Sequence, residues 1–247
     1  MGPTAILSAL AQEQQGLIEQ LEAPRQVQRA GRDYWLGRLH GRPVVLALSR
    51  IGKVAAATTA TTLVEAFDAR RIVFTGVAGG LGPQVHIGDV VVADAFVQHD
   101  MDASPLFPRF EIPLYGQSRF GCDADLSDRL AQACRASLPG TGSTGRAAGL
   151  HRGLIVSGDQ FVSTAHAAGG IQAALRGAGL EPLAVEMEGA AVAQVCHDYG
   201  IPFAAVRTIS DRSDEASAND FQHFVTHVAS RYARAIVEQL MPLLPQA

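Results

Sequence analysis

Short apolar runs alternate with alanine-rich or amphipathic stretches along most of the chain. "TAILSAL" (4–10) predicts a short buried strand, and "AQEQQGLIEQLEA" (11–23) a helix ending before Pro24. "DYWLGRLHGRPVVLALS" predicts two strands joined at Gly41-Arg42, the second a β-branched run suited to a sheet interior. "GKVAAATTATTLVEAF" predicts a helix that feeds the strand "RRIVFTG", and "GGLGPQVHIG" a turn before the strand "DVVVADAFVQHD". "DADLSDRLAQACRASL" has helical spacing with Asp123 or Asp125 as N-cap. The strand "RGLIVSG", the helix "TAHAAGGIQAALRGAG", the strand "EPLAVEM" and the helix "EGAAVAQVCHDYG" follow, the last closed by Gly200. "IPFAAVRTIS" is a final strand, and 219–243 a long final helix.

Buried strands alternating with helices predict an α/β sandwich with helices on both faces of a central sheet. Without an internal repeat or low-complexity linker, residues 1–247 read as one domain. Ligand sites in such sheets lie at the carboxyl ends of the strands. The segments to inspect are therefore 76–82, 157–161, 186–188, and Ser210 with Asp211.

Composition narrows the partners. The 247 residues are 47% hydrophobic and 18% charged, with a net charge of -4 and no run of Lys or Arg, which disfavours a nucleic-acid surface. Three cysteines (Cys122, Cys134, Cys196) form no CxxC pair and suit reduced thiols in the cytoplasm. The start lacks the basic and apolar regions of a signal peptide. No apolar run approaches the roughly 20 residues of a membrane span.

Several familiar motifs fail on inspection. "ALSRIGKV" has Ala47 for the first glycine of a P-loop and Val54 for its metal-binding hydroxyl, and "GVAGGLG" lacks the GxGxxG order. His223 and His227 share a helix face, but no third metal ligand accompanies them, and no GxSxG elbow is present. Metal-free chemistry on carboxylates is left. Glu186 and Glu188 stand among Ala, Val, Met and Cys, where an ionised carboxylate needs donors from somewhere. They read either as a helix start or as groups whose donors belong to a ligand.

"ALAQEQQ", "TGVAGGL", "VSGDQFV", "AVEMEGAA" and "RTISD", with "SRIGKVAAA" and "VQHDMDA", occur in the order found in the nucleoside phosphorylase-type nucleosidases. In this combination the chain resembles the 5′-methylthioadenosine/S-adenosylhomocysteine nucleosidase family from about Ala5 to the final helix. The resemblance implies a nucleoside phosphorylase-like three-layer sandwich with a mixed, mostly parallel twisted sheet. It also implies hydrolysis of the N-glycosidic bond between adenine and a 5′-thio-substituted ribose, without metal or organic cofactor.

By the same resemblance, Asp211 protonates adenine N7, Glu13 positions the attacking water, and Arg207 is the partner of Glu13. Glu188 holds the ribose diol, with Met187 packed on the sugar. Glu186 is either a direct participant or an acceptor behind the sugar. Phe161 stacks on adenine, the Val162 backbone reads its edge, and Ala78 and Gly79 bring backbone close. Ser210 and Ile51 are further substrate-binding positions, Leu10 makes an apolar contact, and Phe221 lines the 5′-thio pocket. Taken alone, Asp211 would read as a turn cap, Glu13 as a first-turn helix acid and Phe161 as core. Arg207 is more telling, because an arginine inside "FAAVRTIS" demands an anionic partner.

Val77 replaces the family's usual Ser, Leu10 its Met, and Arg50 its Gly. Phe74 stands where the related phosphorylases carry a phosphate-binding arginine, so water is favoured over phosphate as nucleophile. The alternatives are a purine nucleoside phosphorylase, a nucleosidase for aminodeoxyfutalosine or 5′-deoxyadenosine, and a nucleoside-binding sensor without turnover. Residues 101–121, opening on Met101 and closing on Gly121, are irregular yet carry Leu106, Phe107, Phe110, Ile112, Leu114 and Tyr115. So many apolar groups predict a lid or subunit contact, and the resemblance implies a homodimer with this loop near the interface.

Overall fold

The computed structural model describes residues 2–14, 16–138 and 147–245. The chain runs β1 (Thr4–Ser8), α1 (Ala11–Gln14), β2 (Glu22–Arg29), β3 (Arg32–Leu39), β4 (Arg42–Leu48), α2 (Lys53–Phe67), β5 (Arg71–Gly80) and β6 (Val90–Gln98). It continues with β7 (Arg119–Gly121), α3 (Ala124–Ser137), β8 (Leu150–Ser157), α4 (Ala165–Gly177), β9 (Pro182–Glu186), α5 (Gly189–Tyr199) and β10 (Phe203–Asp211), and ends with α6 (Ser217–Phe224) and α7 (Ser230–Leu243).

One sheet takes in every strand, in the order β10-β6-β8-β9-β5-β1-β4-β3-β2, with β7 added beside β6. Because β5 also pairs with β10, the strands β5, β10, β6, β8 and β9 close into a ring. β1, β4, β3 and β2 leave that ring as an open extension.

Side-chain alternation sorts the core into layers. Ala5 and Leu7 of β1, Val45 and Ala47 of β4, and Ile72 and Phe74 of β5 pack with the small residues of α2 and α5. The residues between them, Ile6, Val44, Leu46 and Val73, pack with α3 and α7 on the opposite face. α4 covers the far side of the ring, over Val156 and Val185. This is the three-layer α/β sandwich expected from the alternating pattern.

The structure corrects the reading in several places. The helix expected over 11–23 is only α1 and a 3-10 turn at Ile18–Gln20, with Gln15 outside the described residues. Its last residues instead open β2, an edge strand exposed along nearly its whole length, where Pro24 is tolerated because an edge need not donate every N–H. The sheet is mixed, as expected, and the parallel ladders hold most of its paired residues among the described ones. The final helix starts at Ser217, and a π-helical turn, Val225–Ala229, divides it into α6 and α7.

Of the two candidate caps, Asp123 caps α3, accepting the Leu126 N–H at 2.8 Å. Residues 101–121 divide their apolar groups. Phe110 and Ile112 are buried, whereas Leu106 is 84% and Leu114 91% exposed.

Candidate active site

The carboxyl ends of β1, β5, β8, β9 and β10 converge on a cavity of about 310 Å³. Its walls bring together residues more than two hundred positions apart in the chain, and most of them are apolar.

Glu13 reaches the cavity from α1, which follows directly on β1. Its carboxylate is buried and accepts the N–H groups of Ala9 at 2.8 Å, Leu10 at 2.9 Å and Val77 at 3.2 Å. A Cβ on Gly76 would come 3.1 Å from Glu13 Oε1, so a larger residue there would have to displace the Glu13 carboxylate by a few tenths of an ångström. Burial pushes the Glu13 carboxyl above its ordinary value, opposed by the three N–H donors and the charge of Arg207.

Arg207 does not line the cavity and makes no direct bond to Glu13. It lies beneath the wall, 1% exposed, and donates to Glu186 Oε2 at 2.8 Å and to the carbonyls of Phe74 and Val206, both at 3.1 Å. Its guanidinium sits 4.0 Å from the centre of the Phe74 ring. The anionic partner that the sequence demanded is therefore Glu186, and Arg207 acts on Glu13 only through charge at longer range.

Glu186 ends β9 and is almost saturated. Besides Arg207 it accepts the Ser157 hydroxyl, the Gly189 N–H at 2.9 Å and the Glu188 N–H at 3.3 Å. It touches the cavity, yet most of its acceptor capacity is spent on the protein, which favours the reading that places it behind the ligand.

Glu188, two residues on, accepts the Gly52 N–H at 2.9 Å. With so little compensation, burial first and the neighbouring Glu186 second push its carboxyl up to about 8.

Asp211 closes β10 just past a bulge. Ile209 pairs with Ala78 and Asp211 with Gly79, so Ser210 is the extra residue that re-aims the strand end. Asp211 is 2% exposed, bonded to the Ser210 hydroxyl at 2.8 Å and the Ser213 N–H at 2.9 Å. Burial raises its carboxyl above the ordinary aspartate value, partly offset by those donors. Ser210 also donates to the Ala78 carbonyl at 3.3 Å.

Ala78, Gly79, Val162, Met187 and Ser210 complete the inner wall. Leu10, Ile51, Phe161 and Phe221 form an apolar side of the cavity, with the rings of Phe161 and Phe221 meeting edge to face at 5.5 Å. Every expected site residue except Arg207 therefore touches one cavity. Ala9, Val185 and Ser213 line it as well, and Gly52 and Ser157 hold its carboxylates; of these the sequence singles out only Ser157, at the start of the segment 157–161. Ser213 sits in the polar stretch "DRSDEASAND", where nothing in the pattern separates it from ordinary loop.

Arg50, where the resembling family has glycine, holds φ +64°, the left-handed region that glycine favours. Arg50 thus carries a backbone conformation that a glycine adopts at no steric cost.

A sequence model described as "Phosphorylase superfamily" matches residues 3–241. A 5′-methylthioadenosine/S-adenosylhomocysteine nucleosidase from Aeromonas salmonicida is 34% identical over 238 residues, 95% of this chain and 97% of that one. The crystal structure of such a nucleosidase from Neisseria meningitidis, in complex with methylthio-immucillin-A, superposes with a TM-score of 0.88 at 33% identity, covering 99% of this chain and 100% of that one. A futalosine hydrolase mutant of Helicobacter pylori gives 0.86 at 28% identity, covering 99% and 100%. Matched along nearly its whole length in sequence and in fold, the chain belongs to the phosphorylase superfamily, in the family of the 5′-methylthioadenosine/S-adenosylhomocysteine nucleosidases.

Proposed function

We propose that this protein hydrolyses the N-glycosidic bond of 5′-methylthioadenosine and S-adenosylhomocysteine, releasing adenine and the 5′-thio-substituted ribose. The observation that carries this reading is the meeting of Asp211, Glu13 and Glu188 on one mostly apolar cavity, with the acid form of Asp211 favoured by burial.

Adenine leaves poorly as an anion. Asp211 gives its proton to N7 as the bond to the anomeric carbon lengthens, so that the base departs neutral. The sugar becomes electron-poor, and the carboxylate of Glu188 accepts hydrogen bonds from the ribose hydroxyls and stabilises the positive charge. Those donors draw Glu188 down from its raised value in the free protein. Glu13 orients a water molecule, which attacks the anomeric carbon and loses its proton to the Glu13 carboxylate. The raised Glu13 value strengthens it as a base. Arg207 and Glu186 position this machinery from behind by fixing β9 to β10. Phe161 stacks on the purine, the Val162 backbone reads its edge, and Met187 packs on the sugar.

Water rather than phosphate fits the walls. Among the described residues no Lys, Arg or His lines the cavity, Phe74 is buried under Arg207, and Val77 offers no hydroxyl. Purified protein is expected to release adenine from 5′-methylthioadenosine in phosphate-free buffer at a rate that added phosphate does not raise. Strict dependence on phosphate would replace hydrolysis by phosphorolysis.

A second reading, the same chemistry on a different 5′ group, draws support from the similarity to a futalosine hydrolase. Leu10, Ile51 and Phe221 favour a thioether over a charged or strongly polar group there. Values of kcat/KM for 5′-methylthioadenosine, S-adenosylhomocysteine, aminodeoxyfutalosine and 5′-deoxyadenosine separate the two.

We also place a second copy of this chain over the exposed apolar groups of residues 101–121, making a homodimer. The three free cysteines fit the cytoplasm as its setting.

A further inference from the structure

We propose that Ser213 is a base-binding residue whose hydroxyl meets the substituent at C6 of the purine, beside the ring nitrogen that Asp211 protonates. The inference deepens the nucleosidase reading and rests on it for the orientation of the base.

Ser213 is 0% exposed and its Oγ has no hydrogen-bond partner among the described residues, yet the residue lines the ligand cavity. A buried hydroxyl without a partner is costly, and at a cavity wall the missing partner is a ligand atom. The backbone carries a second sign. Ser213 holds φ +55°, a conformation that a side-chain-bearing residue keeps only where its surroundings impose it, as at binding sites.

The surroundings that impose it are visible. The Ser213 N–H donates to Asp211 Oδ1 at 2.9 Å, and between them Arg212 anchors the turn by donating to the Gly82 carbonyl at 3.3 Å and to that of Val85. Beyond them the Asp214 N–H donates to the Ser217 hydroxyl at 2.7 Å, tying the turn to the start of α6.

Gly79 fixes where the hydroxyl lies. A Cβ built on it would fall 2.2 Å from Ser213 Oγ and 3.0 Å from Asp211 Oδ1. Hydroxyl and acid therefore border the same small space above the β5 backbone. A purine presents N7 and the C6 substituent side by side on one edge. With Asp211 at N7, the polar group next to it falls to the C6 position. A hydroxyl both donates and accepts, so Ser213 accepts from the amino group of adenine and donates to the oxygen of a 6-oxo purine.

The test is binding of free adenine, hypoxanthine and unsubstituted purine by calorimetry, to the unaltered protein, Ser213→Ala and Ser213→Gly. The glycine variant accommodates φ +55° without strain, so it carries the test if the alanine variant folds poorly. Removal of the hydroxyl is expected to weaken adenine and hypoxanthine roughly five- to tenfold, the size of one hydrogen bond, and to leave purine within about twofold. The same pattern is expected in kcat/KM for the corresponding 5′-methylthio nucleosides. Equal losses for all three bases, or none for adenine, overturn the assignment. If the unaltered protein binds adenine in this Ser213-dependent way but releases no base from nucleosides, hydrolysis fails and the assignment stands. Hydrolysis with base affinities indifferent to Ser213 is the converse.

Discussion

Asp211 and Glu188 carry the same functional group and are raised by burial to different ends. In the proposed mechanism the raised value of Asp211 keeps a proton available to the leaving base, so activity is expected to fall as pH rises through it, that is, above the ordinary value of 3.8. Asp211→Asn keeps the shape and removes the acid. It is expected to lower kcat roughly 10²–10⁴-fold while adenine still binds. An affinity change alone, with turnover intact, would instead indicate a binding protein with the catalyst elsewhere.

For Glu188 the shift from 4.5 to about 8 has a thermodynamic consequence. Between those values the folded protein holds a proton that the unfolded chain releases, so stability falls as pH rises through this window and levels off above it. Glu188→Gln is expected to flatten this part of a plot of Tm against pH. Binding of a ribose-bearing inhibitor near pH 7 is expected to release protons, seen as a buffer-dependent heat.

The residue scale also bounds what was legible. The carboxylates and Phe161 stand in motifs that the sequence displays. Arg207 was found through its cost of burial, but its partner was misjudged, since strand pairing and not spacing decides which carboxylate it faces. Ser213 left no signal, because a serine in a polar loop looks the same whether or not its hydroxyl is orphaned.

At the scale of elements, the strand ends matter more than the strands. The bulge at Ser210 turns β10 so that Asp211, rather than its neighbour, meets Gly79. The pattern of apolar residues could not show it, because "RTISD" reads the same with or without an extra residue in the ladder. β2 was missed for a related reason: its residues are exposed and carry no alternation, and only hydrogen bonding to β3 makes them a strand.

Residues 101–121 behave as an element in their own right, pinned by Phe110 and Ile112 and leaving Leu106 and Leu114 in solvent. If a second copy covers them, Leu114→Asp buries a charge in that contact. Sedimentation at micromolar concentration is expected to give a dimer for the unaltered protein and a shift toward monomer for the variant, with a raised KM for 5′-thio substrates. A monomeric unaltered protein would remove the dimer proposal.

In the whole molecule the buried pair of Arg207 and Glu186 is the tie across the ring. It joins β10 to β9, while the bond to the Phe74 carbonyl adds β5. Arg207→Leu leaves Glu186 charged and unpaired at 7% exposure, and is expected to destabilise the fold by about 3–5 kcal/mol in denaturant unfolding. Adding Glu186→Gln should recover part of that loss, and additive losses would show the two to be independent.

The sequence by itself determined the layers, because a period of two in strands and of three to four in helices decides which face is buried wherever it occurs. Motif order determined the family and most of the cavity residues. Tertiary structure alone decided that the sheet closes through β5 and β10, that Arg207 faces Glu186, and that Ser213, with a hydroxyl left unpartnered among the described residues, lies at the cavity wall. Those are pairings between distant segments, set by strand register and close backbone approach, and local patterning carries no record of which segment lies opposite.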